Sequence, residues 1–500
     1  MWYNLVMGCK NGDTIGDAQM SADPVLRVHY PPPLNSPTSV SNEVTFTKAY
    51  TRIIDFIKKP STIPYLCVGI FFYLLTYFQD VRSGDWQAVF HDQVVSGNFT
   101  GPVAYAVWKY TNWSSRFVVE FFGYFMTEHL LIWRIITIAL AVLMVHSIRK
   151  CFGFIEFWQM SLVAIFFCLF IPSAIYSSAG IYAMVINYLW TSSLLLYALS
   201  GIRTSIYSTL AKTETTRIKI SKMILYLLSL IFACNSEQMS VLAFMIFFLF
   251  NLVWFIKIKA KQFNLYIVLG LVISLLGIMN VLICPGNVHR RFAEIASNFP
   301  AYANISIFSK VNLGFLYICK HFLFDSDLVY LAIISVLLIL SIRISISTNK
   351  KVVLFLLNFV PLIMSKYFYN TSDFFRPQIS QMLGQMQDQF IPNTSFSNPK
   401  TLMPHIFFLF LIFCFVASIF LLYGFTFRTL FILYIAFSGF IATFLVSFSP
   451  SIYASDVRIF FPLYITLLCV LCYLSVDLVK NCKAHKLAKL NSRHCISSVV

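Results

Sequence analysis

The side chains able to do chemistry in this 500-residue chain gather in five short blocks. The first is Asp80-Val81-Arg82-Ser83-Gly84-Asp85-Trp86, followed by His91 and Asp92. Carboxylates so placed can act as a general base, hold a divalent cation (Mg or Mn, at Asp85 and Asp92), or cap the helix that follows. The second is Asn112-Trp113-Ser114-Ser115-Arg116, with Glu120 four residues on. A guanidinium suits bidentate contact with phosphate, but residues four apart on a helix can equally pair with each other. The third combines Asn187-Tyr188-Leu189-Trp190 with Asn235-Ser236-Glu237-Gln238. Aromatics such as Tyr188 and Trp190 at an interface are ordinarily membrane-belt residues. Glu237 lies between two apolar runs with no charged neighbour in sequence, and such carboxylates mark sites or pathways. In the fourth, Cys284-Pro285-Gly286-Asn287, the turn ends a helix and offers backbone N–H groups to an anion. Arg290 and Arg291 follow it, and Arg290 either meets a phosphate or pairs with Glu294. In the fifth, Ser449 to Pro462, Arg458 either pairs with Asp456 or reaches the same phosphate.

What must position these blocks is a membrane bundle. The chain is 58% apolar or aromatic and 11% charged, where soluble domains carry about 25% charge. That excludes an ordinary soluble enzyme, a disordered chain and a disulfide scaffold. Twelve runs approach the ~20 apolar residues a crossing needs: 62–78, 130–148, 157–174, 183–202, 223–235, 238–256, 264–283, 327–343, 352–369, 404–424, 429–448 and 459–479. The expected fold is all-α and polytopic.

The formal charge of +17 tests the orientation. With the N-terminus inside, the cytoplasmic segments hold 25 Lys and Arg against 8 acids, and the remainder holds 12 of each. Basic residues resist translocation, so this asymmetry places both termini in the cytoplasm and leaves a nucleic-acid role without support. Residues 1–61 read as a partly disordered tail without a cleavable signal, 62–479 as the membrane domain and 480–500 as a basic tail. Segments 102–127 and 304–323 mix aromatics with charges, as expected of helices in the interface plane. The loop 370–400, rich in Gln and Asn, reads as a surface for a hydroxyl-rich partner or as a plain solvated loop. Most of the twelve cysteines lie in spans, and Cys469 and Cys472 read as apolar helix residues.

Taken in order, the carboxylate after the first span, Trp113-Ser114-Ser115-Arg116, Asn187-Tyr188-Leu189-Trp190, Ser236-Glu237-Gln238, Pro285-Gly286-Asn287 with Arg290, and the Arg458 block resemble bacterial polytopic proteins of the GT-C glycosyltransferase superfamily. The resemblance covers roughly 62–480 and points to the serotype-conversion glucosyltransferases. It implies a bacterial inner-membrane enzyme that moves a hexose such as glucose from a polyprenyl-phosphate donor to a cell-surface glycan of O-antigen type. It implies Asp85 as base or metal ligand, with Asp80 in reserve, and Arg116, Arg290 and Arg458 on the phosphate. Glu237, Asn287, Asn187 and Trp190 would then contact sugar or phosphate. The family pattern has two adjacent acids where this chain has Gly84 and Asp85. An O-antigen polymerase and a lipid-linked sugar transporter or flippase are the alternatives. Polymerases share the many spans and outer arginines, whereas transporters usually carry mid-membrane charges and inverted repeats.

Overall fold

The computed structural model describes residues 60–175, 179–211, 216–258, 264–323, 328–344, 347–364 and 399–497. The tail up to residue 59 and nearly all of the loop expected at 370–400 lie outside the described residues. The described chain is helical and contains no strand. Seven helices are long and apolar enough to cross a membrane: Leu130–Phe152, Gly180–Ile206, Glu237–Ile256, Leu265–Ile283, Pro404–Tyr423, Phe427–Phe448 and Val457–Cys482. Ile63–Phe78, Phe157–Pro172 and Ile220–Ala233 are apolar but shorter. Ile307–Leu323 meets Leu328–Arg343 at 64°. Each of the twelve expected runs overlaps one of these helices or Thr348–Ile363, and residues 365–369 of the ninth lie outside the described residues.

Two helices form the interior. Val457–Cys482 is 89% buried along its apolar window and Gly180–Ile206 is 78% buried, against 22–39% for the other five. The peripheral helices expose Ile70, Leu276, Ile283 and Phe413 to their surroundings. Apolar residues facing outward all round a bundle are what a lipid solvent permits. The last helix runs on from Phe461 to Ser497, through the segment expected to form a separate basic tail.

The segment expected to lie in the interface at 102–127 is two helices, Pro102–Asn112 and Phe117–Thr127, broken at Trp113–Arg116. Asn280 holds the break. It accepts from the Tyr110 hydroxyl (3.0 Å) and donates to the Ser115 carbonyl (3.1 Å). Gly286, in the first turn of Pro285–Ser297, lies flat against the backbone of Lys109, Tyr110 and Trp113, where a Cβ would come within 2.5–2.9 Å. The Pro-Gly-Asn turn expected to cradle an anion is therefore used first for helix contact, and Asn287 donates across the kink to the Val281 carbonyl (2.8 Å). At the other end of the helices Arg428 pairs with Asp477 (2.7 Å) and lies over the rings of Tyr423 and Tyr473. Asp477 is about 24 Å along its helix from Phe461.

Gly84 fixes the loop that carries Asp85. Its φ is +65°, and a Cβ there would lie 2.6 Å from the carbonyl of Ala179, which accepts the Asp85 N–H at 2.8 Å. This is the physical reason for glycine where the resembled pattern has a second acid: a side chain fits neither the dihedral nor the space. Gly84→Ala is expected to destabilise the protein by about 1–3 kcal/mol, read by equilibrium unfolding in mixed micelles. An unchanged midpoint would show that the loop tolerates the side chain.

Candidate functional site

All five blocks send residues to one end of the bundle, and Glu237 joins the second, third and fourth. Its Oε2 accepts from Arg116 Nε at 2.8 Å and its Oε1 lies 3.9 Å from Arg290. Arg290 Nε also pairs with Glu294 at 3.2 Å, so the local pairing and the wider site occur together. Arg116 donates a further bond to Asn187 Oδ1 (3.0 Å). These side chains are about one-fifth exposed, where an unpaired charge would be costly. Tyr188 is within electrostatic reach of Arg116, and Glu237's interaction raises the already basic Arg116 against the opposing effect of burial.

The four-residue spacing of Arg116 and Glu120 does not make them a pair. Arg116 precedes its helix, with φ −85° and ψ 47°, which turns its side chain away from the helical face. Glu120 is buried and accepts from the Ser114 hydroxyl at 3.3 Å. The neighbours of Glu237 complete the junction. Asn235 Oδ1 accepts the Val118 N–H (3.0 Å) at the start of Phe117–Thr127. Gln238 donates to the Ile459 carbonyl (2.7 Å), and so anchors the Asp456–Phe460 turn that carries Arg458.

Arg458 NH1 lies 3.8 Å from Asp85 and its NH2 donates to the Ala454 carbonyl. The side chain of Asp456, the other partner expected for Arg458, lies outside the described residues. Asp85 is partly buried, and desolvation holds its carboxyl above the usual range, with Arg458 and Lys109 pulling it back. Of two π-helical stretches, Trp86–His91 begins directly after Asp85 and Val185–Trp190 contains Asn187. Such widened turns redirect side chains and recur at functional sites.

Not every expected residue joins. Asp80 accepts the Arg82 N–H in its own exposed turn. Asp92 is exposed beside His91 (3.7 Å). Trp190 is a buried post whose Nε1 donates to Thr137 (3.1 Å). Asn287 bridges its own kink rather than facing a ligand. The residues do not fit a divalent cation: Asp85 is flanked by cations, and among the described residues no three His, Cys, Asp or Glu side chains are grouped for one.

Lys109 was missed as a site residue. It is 7% exposed, and burial pushes its ammonium down against the opposing pull of Glu120 and Asp85. The signal was its four-residue spacing from Tyr105, which puts both on one face of Pro102–Asn112.

Glu237→Gln is expected to cost about 3 kcal/mol because two guanidinium groups lose their shared partner. Adding Arg116→Met should recover part of that in a double-mutant cycle of unfolding free energies, and strictly additive losses would show the pair is uncoupled. No family model, curated protein or solved structure matches the chain.

Proposed function

We propose that the chain crosses the bacterial inner membrane twelve times, with both termini cytoplasmic, and is a glycosyltransferase working at its outer face. The donor is a polyprenyl-phosphate-linked hexose and the acceptor a cell-surface glycan. The observation that carries this reading is the meeting, at one end of an apolar bundle, of Asp85 with Lys109, Arg116, Glu237, Arg290 and Arg458. A lipid-borne sugar phosphate needs cations at headgroup depth, a carboxylate open to water and an apolar path for its tail.

A groove of about 910 Å³ supports the last requirement. Apolar side chains line almost all of it, among them Leu252, Ile256, Phe322, Phe437 and Leu463. Leu463 is in the first turns of the helix that follows Arg458, so the groove begins near the charged cluster.

In the proposed transfer an acceptor hydroxyl attacks the anomeric carbon and the bond from that carbon to the phosphate oxygen breaks. Asp85 takes the hydroxyl proton as the new glycosidic bond forms. Its desolvation makes it a better base than an ordinary carboxylate. Polyprenyl phosphate leaves with the extra negative charge, which cations already fixed in place stabilise.

Deleting the gene should leave full-length surface glycan lacking one sugar branch, restored by wild type and not by Asp85→Asn or Arg290→Ala. Single-repeat chains would identify a polymerase instead, and an unaltered glycan would sink both readings. For Asp85→Asn a rate loss of about 100-fold or more is expected.

The acid limb of kcat/KM should follow Asp85 in the free enzyme and lie above the usual carboxylate range. Arg458 favours the ionised carboxylate. Arg458→Gln should therefore move that limb to higher pH, and a limb that stays or moves down would remove Asp85 as the base.

A further inference from the structure

On the Pro102–Asn112 helix Val103, Val107 and Trp108 are exposed, while Lys109 is buried with Tyr105 and Ala106. The Lys109 ammonium lies 5.5, 5.8 and 5.9 Å from the ring centres of Tyr105, Trp108 and Trp113. Among the described residues, no carboxylate lies within ion-pair distance of this nitrogen and nothing accepts a hydrogen bond from it, nor is it sealed off.

The other cations differ. Arg116 is engaged by Glu237 at 2.8 Å and by Asn187, and Arg290 by Glu294 at 3.2 Å. Arg458 is held to a carboxylate only at 3.8 Å. Lys109 lies within electrostatic reach of Asp85, Glu120, Arg116 and Arg290, and Arg458 faces Asp85, so four cations stand against Asp85, Glu120, Glu237 and Glu294. An incoming anion must therefore take cations over from carboxylates. Taking Arg116 or Arg290 would break charge-assisted hydrogen bonds, which are the strong ones. Lys109 has none to break, and the Arg458 NH1 contact with Asp85 is longer than a hydrogen bond, so an anion at NH1 leaves the NH2 bond to the Ala454 carbonyl in place.

We propose that Lys109 and Arg458 together take a lipid-borne phosphate headgroup, while the Arg116–Glu237–Arg290 tie holds the site's shape without contacting that phosphate. The anion replaces Asp85 as the counter-ion of Arg458 and leaves that carboxylate free. Exposed apolar side chains on the surrounding short helices, Val103 and Val107 on one, Val288 and Phe292 on the next and Phe308 beyond, put the site beside lipid. The inference deepens the transferase reading and rests on it for the lipid source of the phosphate.

The full chain in phosphatidylcholine nanodiscs is titrated with undecaprenyl phosphate and binding is followed by microscale thermophoresis. Lys109→Met and Arg458→Gln should each weaken binding tenfold or more, and Lys109→Arg should stay within about threefold of wild type. Wild-type affinity in both charge-removing variants overturns the assignment. If Lys109→Met does not fold, judged by its thermal midpoint, Arg458→Gln is read alone and wild-type affinity there overturns it. Millimolar inorganic phosphate should not displace the lipid, and equal displacement overturns the lipid source. Because the titration needs no sugar transfer, loss of binding in the variants supports the inference even in a chain without transferase activity. Transfer activity with unchanged binding in the variants refutes the inference alone.

Discussion

Glu237 is the constraint on which the rest of the site depends. It begins an apolar helix, and a carboxylate there is tolerable only with its counter-ions in place. Two guanidinium groups supply them, from the break before Phe117–Thr127 and from Pro285–Ser297. Segments far apart in the chain are thereby pinned to one point. Gln238, the next residue, ties the same point to the turn that bears Arg458. Asn235, two residues before, ties it to the helix after Arg116. A single helix start thus sets the relative positions of the residues that surround Asp85.

The tie also divides the work among the cations. Charges that satisfy one another at hydrogen-bond distance form a stiff frame, and those that do not remain open to a ligand. Burial pushes the Lys109 ammonium down while Glu120 and Asp85 pull it back up, and its aromatic surroundings add modest cation–π attraction. Asp85 experiences the converse: desolvation raises its carboxyl, and Arg458 and Lys109 pull it back down.

Much of this was legible from sequence because its physics is local or statistical. Hydropathy located the helices, and the sidedness of Lys and Arg gave a reason to seek chemistry at one end. The five blocks were visible because charges at the ends of apolar runs stand out. The partners were not legible. Arg116 seemed paired with Glu120 by spacing, but a helix that starts after it sends it to Glu237, 121 residues away. Trp190 carried no signal separating a packing post from a sugar platform, and Asn287 none separating a bridge across a kink from a ligand contact. Gly84 looked like a departure from a resembled pattern, and its meaning required the left-handed φ and the approach of Ala179. Lys109 was hidden because Pro102–Asn112 turns Val103, Val107 and Trp108 outward and the lysine inward.

The most direct measurement is a cryo-EM map of the full chain in nanodiscs containing undecaprenyl phosphate. The predicted result is phosphate density within hydrogen-bond distance of Lys109 and Arg458, beside Asp85, with the lipid tail leading toward the groove at Leu463. Phosphate density at the opposite end near Arg428, or ordered lipid in the groove with none at the Asp85 cluster, would contradict it.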